Sequence, residues 1–200
     1  MPATRSRTPG SAGFSMVELV FSIGVMLVLT AIAVPSLTHS LRAYQLNSAA
    51  ASVSDMLKLT RFEAVRRNKQ INFLAIARGA GWVVGTDSNA NGAIDPLEKQ
   101  QSISGYVTLL PAGGPVPPPN AITAADGALT AMSGANGSIT FDARGAIRQG
   151  IGGPVANSVY LFYVGNANGP EAGYRAVVLL PSGSTQIWSA PSGGPWRQVS

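Results

Sequence analysis

This chain has few side chains for general acid–base or metal chemistry: nine acidic residues, one histidine and no cysteine in 200 residues. Without cysteine there is no disulfide framework, no thiolate nucleophile and no Cys-based zinc site. A Ser–His–Asp set would have to use His39, which lies just beyond a long apolar run, and nothing around it in the sequence completes such a set. One group of oxygen ligands stands out. Asp87-Ser88-Asn89-Ala90-Asn91-Gly92-Ala93-Ile94-Asp95-Pro96-Leu97-Glu98 fits the calcium-loop pattern D-x-[DN]-x-[DN]-G-x5-E. Its ligands would be Asp87, Asn89, Asn91, the Ala93 carbonyl, Asp95 and Glu98, with Gly92 allowing the sharp turn. Three carboxylates in twelve residues repel one another, and Ca2+ would offset that repulsion. Against calcium, the preceding segment reads as a strand where a calcium hand has a helix, and two ligand positions are neutral Asn. Asn, Asp and Gly also build hairpin loops without metal. The bare loop is the preferred reading, and Ca2+ is kept as the candidate cofactor.

The other unusual carboxylate is Glu18. From Phe14 to Val34 the chain reads FSMVELVFSIGVMLVLTAIAV, with Glu18 its only charge. A run of ~20 apolar residues matches the ~30 Å hydrocarbon thickness of a bilayer. Arg5 and Arg7 precede it and place that end in the cytoplasm, with the rest of the chain outside. An ordinary secretory signal has its small residues after the apolar region. Here Ser11-Ala12-Gly13 come before it. A cut after Gly13 would remove only the basic leader and keep the apolar helix. It would also create an α-amino group on Phe14, one helical turn from Glu18. A carboxylate in lipid costs roughly 2.5–3.5 kcal/mol or more and needs a partner. That amine, or the amine of a neighbouring subunit, would supply one.

Gly13-Phe14-Ser15-Met16-Val17-Glu18-Leu19 resembles the prepilin motif of type IV pilins and type II secretion pseudopilins. The resemblance implies a prepilin peptidase that cuts after Gly13 on the cytoplasmic side and methylates Phe14. It implies that Glu18 supports the packing of subunits into a filament.

Beyond Pro35, read as a kink and not a stop, Leu46, Ala50, Val53, Leu57 and Ala64 recur at helical spacing. The helix is therefore expected from about Phe14 to Asn68, with its second half burying one narrow stripe. The period then changes. Strands are expected at 71–78, 82–86, 102–110, 138–142, 158–164, 174–180 and 185–188, which makes a mostly antiparallel head. The Pro111–Asn120 segment, PAGGPVPPPN, reads as an exposed polyproline-like loop. The expected organisation is a cleaved leader 1–13, a transmembrane part 14–37, an amphipathic stalk 38–70 and a β-rich periplasmic head 71–200. The fold class is α+β, with the long helix packed on a small β head.

Removing Arg5 and Arg7 from fourteen basic and nine acidic residues leaves 12 − 9 = +3, too little to imply a nucleic-acid partner. Arg61, Arg66, Arg67 and Lys69 read as a solvated helix end whose cations suit its C-terminus.

The tryptophan-led strand at Trp82, the Asp/Asn/Gly-rich loop ending in Glu98 and Phe141-Asp142-Ala143-Arg144-Gly145 together resemble the GspH/FimT group. That group comprises minor pseudopilins of type II secretion and minor pilins of type IV pili. The resemblance implies a helix on two small sheets, at or near a filament tip, with no enzymatic role. The expected partners are the prepilin peptidase, other pseudopilins or pilins and an inner-membrane assembly platform. The expected function is a minor pseudopilin of a type II secretion system, single-pass in a bacterial inner membrane. The alternative is a FimT-like minor pilin of a type IV pilus, serving pilus assembly or DNA uptake. FimT-like proteins of competence pili carry Gly-Arg-x-Arg near the C-terminus, where this chain has Gly183-Ser184-Thr185-Gln186. Both arginines are missing, so nucleic acid is not an expected partner.

Overall fold

The computed structural model describes residues 13–79, 81–103, 106–109, 128–132, 136–166, 169 and 171–200. Residues 1–12 of the expected leader and the Pro111–Asn120 loop lie outside them. The elements in order are α1 (Met16–Arg67), β1 (Ile71–Arg78), β2 (Gly81–Asp87), β3 (Gln100–Ile103), β4 (Val107–Leu109) and β5 (Ala128–Met132). They continue with β6 (Asn136–Phe141), β7 (Ile147–Arg148), β8 (Ser158–Asn166), β9 (Tyr174–Leu179), β10 (Thr185–Ala190) and β11 (Arg197–Gln198). The chain forms two compact units, residues 1–38 and 39–200.

In the first unit every residue from 13 to 38 is exposed. Ser15 caps α1: its Oγ accepts the Val17 N–H at 3.3 Å, satisfying one of the amides that a helix start leaves open. The hydroxyls along this segment bond back to the helix itself, Ser22 to the Glu18 carbonyl and Thr30 to the Met26 carbonyl, each at 2.7 Å. Such polar groups need no partner outside the helix, as a lipid-facing segment requires. Pro35 lies inside α1 and does not end it.

In the second unit, Leu46, Ala50, Val53, Leu57 and Ala64 are fully buried. They form one core with residues from two sheets. The first sheet has the order β3-β2-β1-β6-β7 and is antiparallel throughout. The second has the order β11-β10-β9-β8-β4 and is antiparallel along that path, while β5 pairs parallel with the first half of β8. Strand alternation decides which side chains reach the helix. Ile71, Phe73 and Ala75 come from β1, Ile139 and Phe141 from β6, and Phe162, Val164, Val177 and Leu179 from the second sheet. Phe73 and Phe162 meet edge to face, 5.6 Å between centroids, and tie the sheets together. Thr60 sits in the same buried stripe. Its hydroxyl is satisfied by the Met56 carbonyl at 2.8 Å and Thr86 at 3.0 Å.

The Phe141-to-Gly145 segment is a turn built on one buried carboxylate. Asp142 Oδ1 accepts the N–H groups of Arg144 and Ala146, both at 2.9 Å, and Oδ2 accepts Arg148 Nε at 2.9 Å. Burial opposes the charge, but the Ala146 N–H, the Arg148 guanidinium and the Arg144 N–H outweigh it and hold the carboxyl below its ordinary value. Asp142→Ala would leave these donors unpaired and should destabilise the head by about 1–3 kcal/mol. Thermal unfolding of the full chain in detergent checks this; an unchanged midpoint would show that the turn does not depend on Asp142.

Candidate processing and assembly site

Gly13, Phe14 and Glu18 fall at the start of α1. Phe14 is 78% exposed, and Glu18 occupies the first turn of the helix. With Ser15 as the cap, Glu18 stands three residues on. Ser15-Met16-Val17-Glu18 is thus a capping-box sequence, a signal present in the chain that the prepilin reading alone did not use. An acidic residue here also complements the positive end of the helix dipole. Among the described residues Glu18 takes part in no ion pair. The 18-residue apolar window of α1 has a mean hydropathy of 2.5 and none of it is buried. This is a helix long and apolar enough to cross a membrane.

The loop from Asp87 to Glu98 brings its polar residues together through hydrogen bonds. Asp87 is fully buried and accepts the Asn91 N–H at 3.1 Å, the Gly92 N–H at 3.0 Å and Asn72 Nδ2 at 3.2 Å. Asp95 Oδ2 accepts the side-chain amides of Asn89 at 2.8 Å and Asn91 at 3.0 Å. Glu98 accepts the Ser88 hydroxyl at 2.8 Å and the Asp95 N–H at 3.0 Å. Ala93 donates its N–H to Asn91 Oδ1 at 2.8 Å. Among the described residues no three Asp, Glu or His side chains converge closely enough to hold an ion. The donor set is that of a hard cation, yet every carboxylate already receives N–H or O–H groups, which a cation would have to displace. The loop is anchored by Ile94, buried with Leu74 and Val83 on the outer face of the first sheet. Gly85 makes room for it: a Cβ there would stand 2.8 Å from Ile94.

The basic end of α1 is not simply solvated. Arg66 and Arg67 both bond Glu63, at 2.7 and 2.8 Å. Arg61 Nε donates to the Gly145 carbonyl at 3.0 Å. A Cβ on Gly145 would stand 2.9 Å from Arg61 Nε and one on Gly183 2.6 Å, and both glycines have positive φ, +77° and +78°. Only glycine fits either position. One arginine of the helix therefore sits against a turn from each sheet. The turn at Gly183 lacks arginines of its own, but Arg61 and Arg144 line the same cleft of about 390 Å³, with Lys58, Phe62 and Val65. Sequence spacing did not show this, because 61, 144 and 183 meet only through the tertiary fold. His39 lies elsewhere, its Nε2 3.2 Å from the Glu171 carbonyl oxygen, while the Glu171 carboxylate pairs with Arg42.

A helix that is exposed and apolar in its first part, and buried on two largely antiparallel sheets in its second, defines a pilin-like protein. The chain belongs to the family described as Type II transport protein GspH, whose model matches residues 49–183. It is also 34% identical over 88 residues to the pilin-like protein PilA1 of Thermus thermophilus, across 44% of this chain and 55% of that protein. The chain thus spans about half the length of that curated relative. Two crystal forms of the type IV minor pilin FimU of Pseudomonas aeruginosa match 74% of this chain and 94% and 90% of theirs. Their identities are 20% and 21%, each with a TM-score of 0.46.

Glu63 supplies a pH test. The Arg66 hydrogen bond, then that of Arg67 and the charges of both, hold its carboxyl below 4.5 against the opposing effect of burial. A carboxylate with a lowered folded pKa stabilises above its unfolded pKa and loses that contribution as pH falls through the folded value. Stability should therefore decline below about pH 4.5, with Asp142 adding to the loss below 3.8. Glu63→Gln should make the decline shallower; identical acid-unfolding curves would remove Glu63 from the account.

Proposed function

We propose that this chain is a minor pseudopilin of a type II secretion system, a non-enzymatic subunit assembled near the tip of a short periplasmic filament. The observation that carries the reading is the Gly13–Glu18 motif directly ahead of an exposed apolar helix, in a chain of the GspH family. In this role a prepilin peptidase cuts after Gly13 and methylates Phe14. The apolar helix anchors the subunit in a bacterial inner membrane, with the head in the periplasm, until an assembly platform moves it into the filament. There the helix exchanges lipid for the helices of other pseudopilins. Glu18, which takes part in no ion pair among the described residues, meets the α-amino group of Phe14, its own or a neighbour's. Neutralising that carboxylate fixes the axial register of one subunit against the next, because a mismatch leaves a charge stranded among apolar side chains.

A second reading, a minor subunit of a type IV pilus, is favoured by the likeness to the pilin-like protein PilA1. The two differ in the machine and not in the chemistry of the site. Gly13→Leu should leave the chain unprocessed and abolish secretion, while Glu18→Ala should be processed and still fail to support secretion. Secretion and surface pili both intact with Gly13→Leu would sink both readings. Loss of surface pili with secretion intact would select the second.

For the Asp87–Glu98 loop the favoured role is structural: a hairpin loop pinned to the sheet by Ile94. Calorimetric titration of Ca2+ into the full chain in detergent should then give no saturable heat at millimolar concentration. A saturable heat abolished by Asp95→Ala would instead make the loop a calcium site.

A further inference from the structure

The second unit holds a charged cavity that neither the processing motif nor the core uses. Arg175 of β9 is half-buried, and burial holds its guanidinium below its ordinary value. Its Nε donates to Asn47 Oδ1 at 2.6 Å and its Nη1 to the Tyr174 carbonyl at 2.9 Å. Both acceptors are neutral, and among the described residues Arg175 is in no ion pair. A half-buried cation held only by neutral acceptors lacks the anion that would offset its desolvation. Arg175 lines a cavity of about 280 Å³ with His39, Glu171, Ser189 and Ser192. The Glu171 side chain is 65% exposed and pairs through Oε2 with Arg42, itself 40% exposed, a pair worth little in water. The cavity thus offers a cation without a counter-charge and a carboxylate that is only weakly held. A simple anion would meet Arg175 but also face Glu171, and a simple cation would meet the reverse. A ligand carrying both charges answers both.

We propose that this cavity holds the headgroup of an aminophospholipid, with its phosphate at Arg175 and the two serine hydroxyls and its ammonium at Glu171. A guanidinium makes charge-assisted hydrogen bonds to phosphate oxygens. A primary ammonium brings three donors to the carboxylate. The position of the cavity in the sequence points to a membrane lipid as the source. His39 follows Val34, the end of the apolar run, by five residues. Five helical residues rise ~7.5 Å. The polar layer outside the ~30 Å hydrocarbon core is roughly 5–7 Å deep on each side. The proposal rests on the membrane-anchored role above for that placement. A headgroup held there ties the subunit to the bilayer surface until assembly withdraws it.

The test is lipid retention by the full chain in detergent. The protein is mixed with equal amounts of phosphatidylethanolamine, phosphatidylcholine and phosphatidylglycerol of the same acyl chains, and bound lipid is read by native mass spectrometry. The expected result is several-fold more phosphatidylethanolamine than either other lipid. Arg175→Gln should lower its retention to the level of phosphatidylcholine. Glu171→Gln alters an exposed side chain and leaves the head folded; it should make phosphatidylglycerol bind as well as phosphatidylethanolamine. Equal retention of the three lipids, or a preference unchanged in both variants, would overturn the site. Saturable binding of free phosphoethanolamine without any preference among the lipids would place the ligand in solution and overturn the lipid assignment. The same spectra show whether the chain is cut after Gly13. A processed chain with no headgroup preference therefore defeats the site and leaves the filament role standing, and an unprocessed chain that prefers phosphatidylethanolamine does the reverse.

Discussion

The apolar side chains that open α1 are exposed among the described residues, and this constraint shapes much else about the molecule. Val17, Leu19, Val20, Phe21, Ile23 and Leu27 are all more than half exposed. In water such a surface would drive association far beyond the few-hundred-Å² patches that soluble monomers tolerate. Lipid, or the equivalent helices of other pilins, would cover such a surface. Both demand that backbone and hydroxyl groups be satisfied internally, as those of Ser15, Ser22 and Thr30 are. Glu18 carries the only charge between Phe14 and Val34, and among the described residues it takes part in no ion pair.

The second half of the same helix meets the opposite condition. From Leu46 onward its stripe is sealed against two sheets, and Arg61 sits against a turn of each. The sheets touch the helix through alternate residues, so the strands flanking the core are apolar on that face. The central strands β8 and β9 are buried on both faces, Phe162 and Val164 on one side, Leu161 and Tyr163 on the other. That is why their sequences read as continuous apolar runs.

Much of this was legible in the sequence, for identifiable reasons. The helical stripe is unambiguous because Leu46, Ala50, Val53, Leu57 and Ala64 keep one period over five turns. The long strands announce themselves by β-branched and aromatic residues. Three strands were not foreseen. Ala128–Met132, ALTAM, is short and mixed in propensity, and β7 and β11 have two residues each, below what periodicity registers. The expected strand at 102–110 resolves into β3 and β4, which belong to different sheets. The apolar pattern on either side of Ser104-Gly105 hid that change of sheet. The Phe-Asp-x-x-Gly motif was visible, but its physical meaning was not. Its aspartate gathers the turn, and its glycine admits an arginine from a helix some eighty residues earlier. The Gly13–Leu19 pattern can be read from sequence because its residues are contiguous, whereas the cationic cleft joins residues distant in sequence.

The central claim is that the apolar helix is retained after a cut that frees Phe14 opposite Glu18. It is tested most directly by intact mass and N-terminal sequencing of the chain recovered from bacterial membranes. The account predicts a mature protein that begins at Phe14, carries one methyl group on its α-amine and keeps the entire apolar segment. A chain that retains residues 1–13, or one cut after the apolar run, would contradict it.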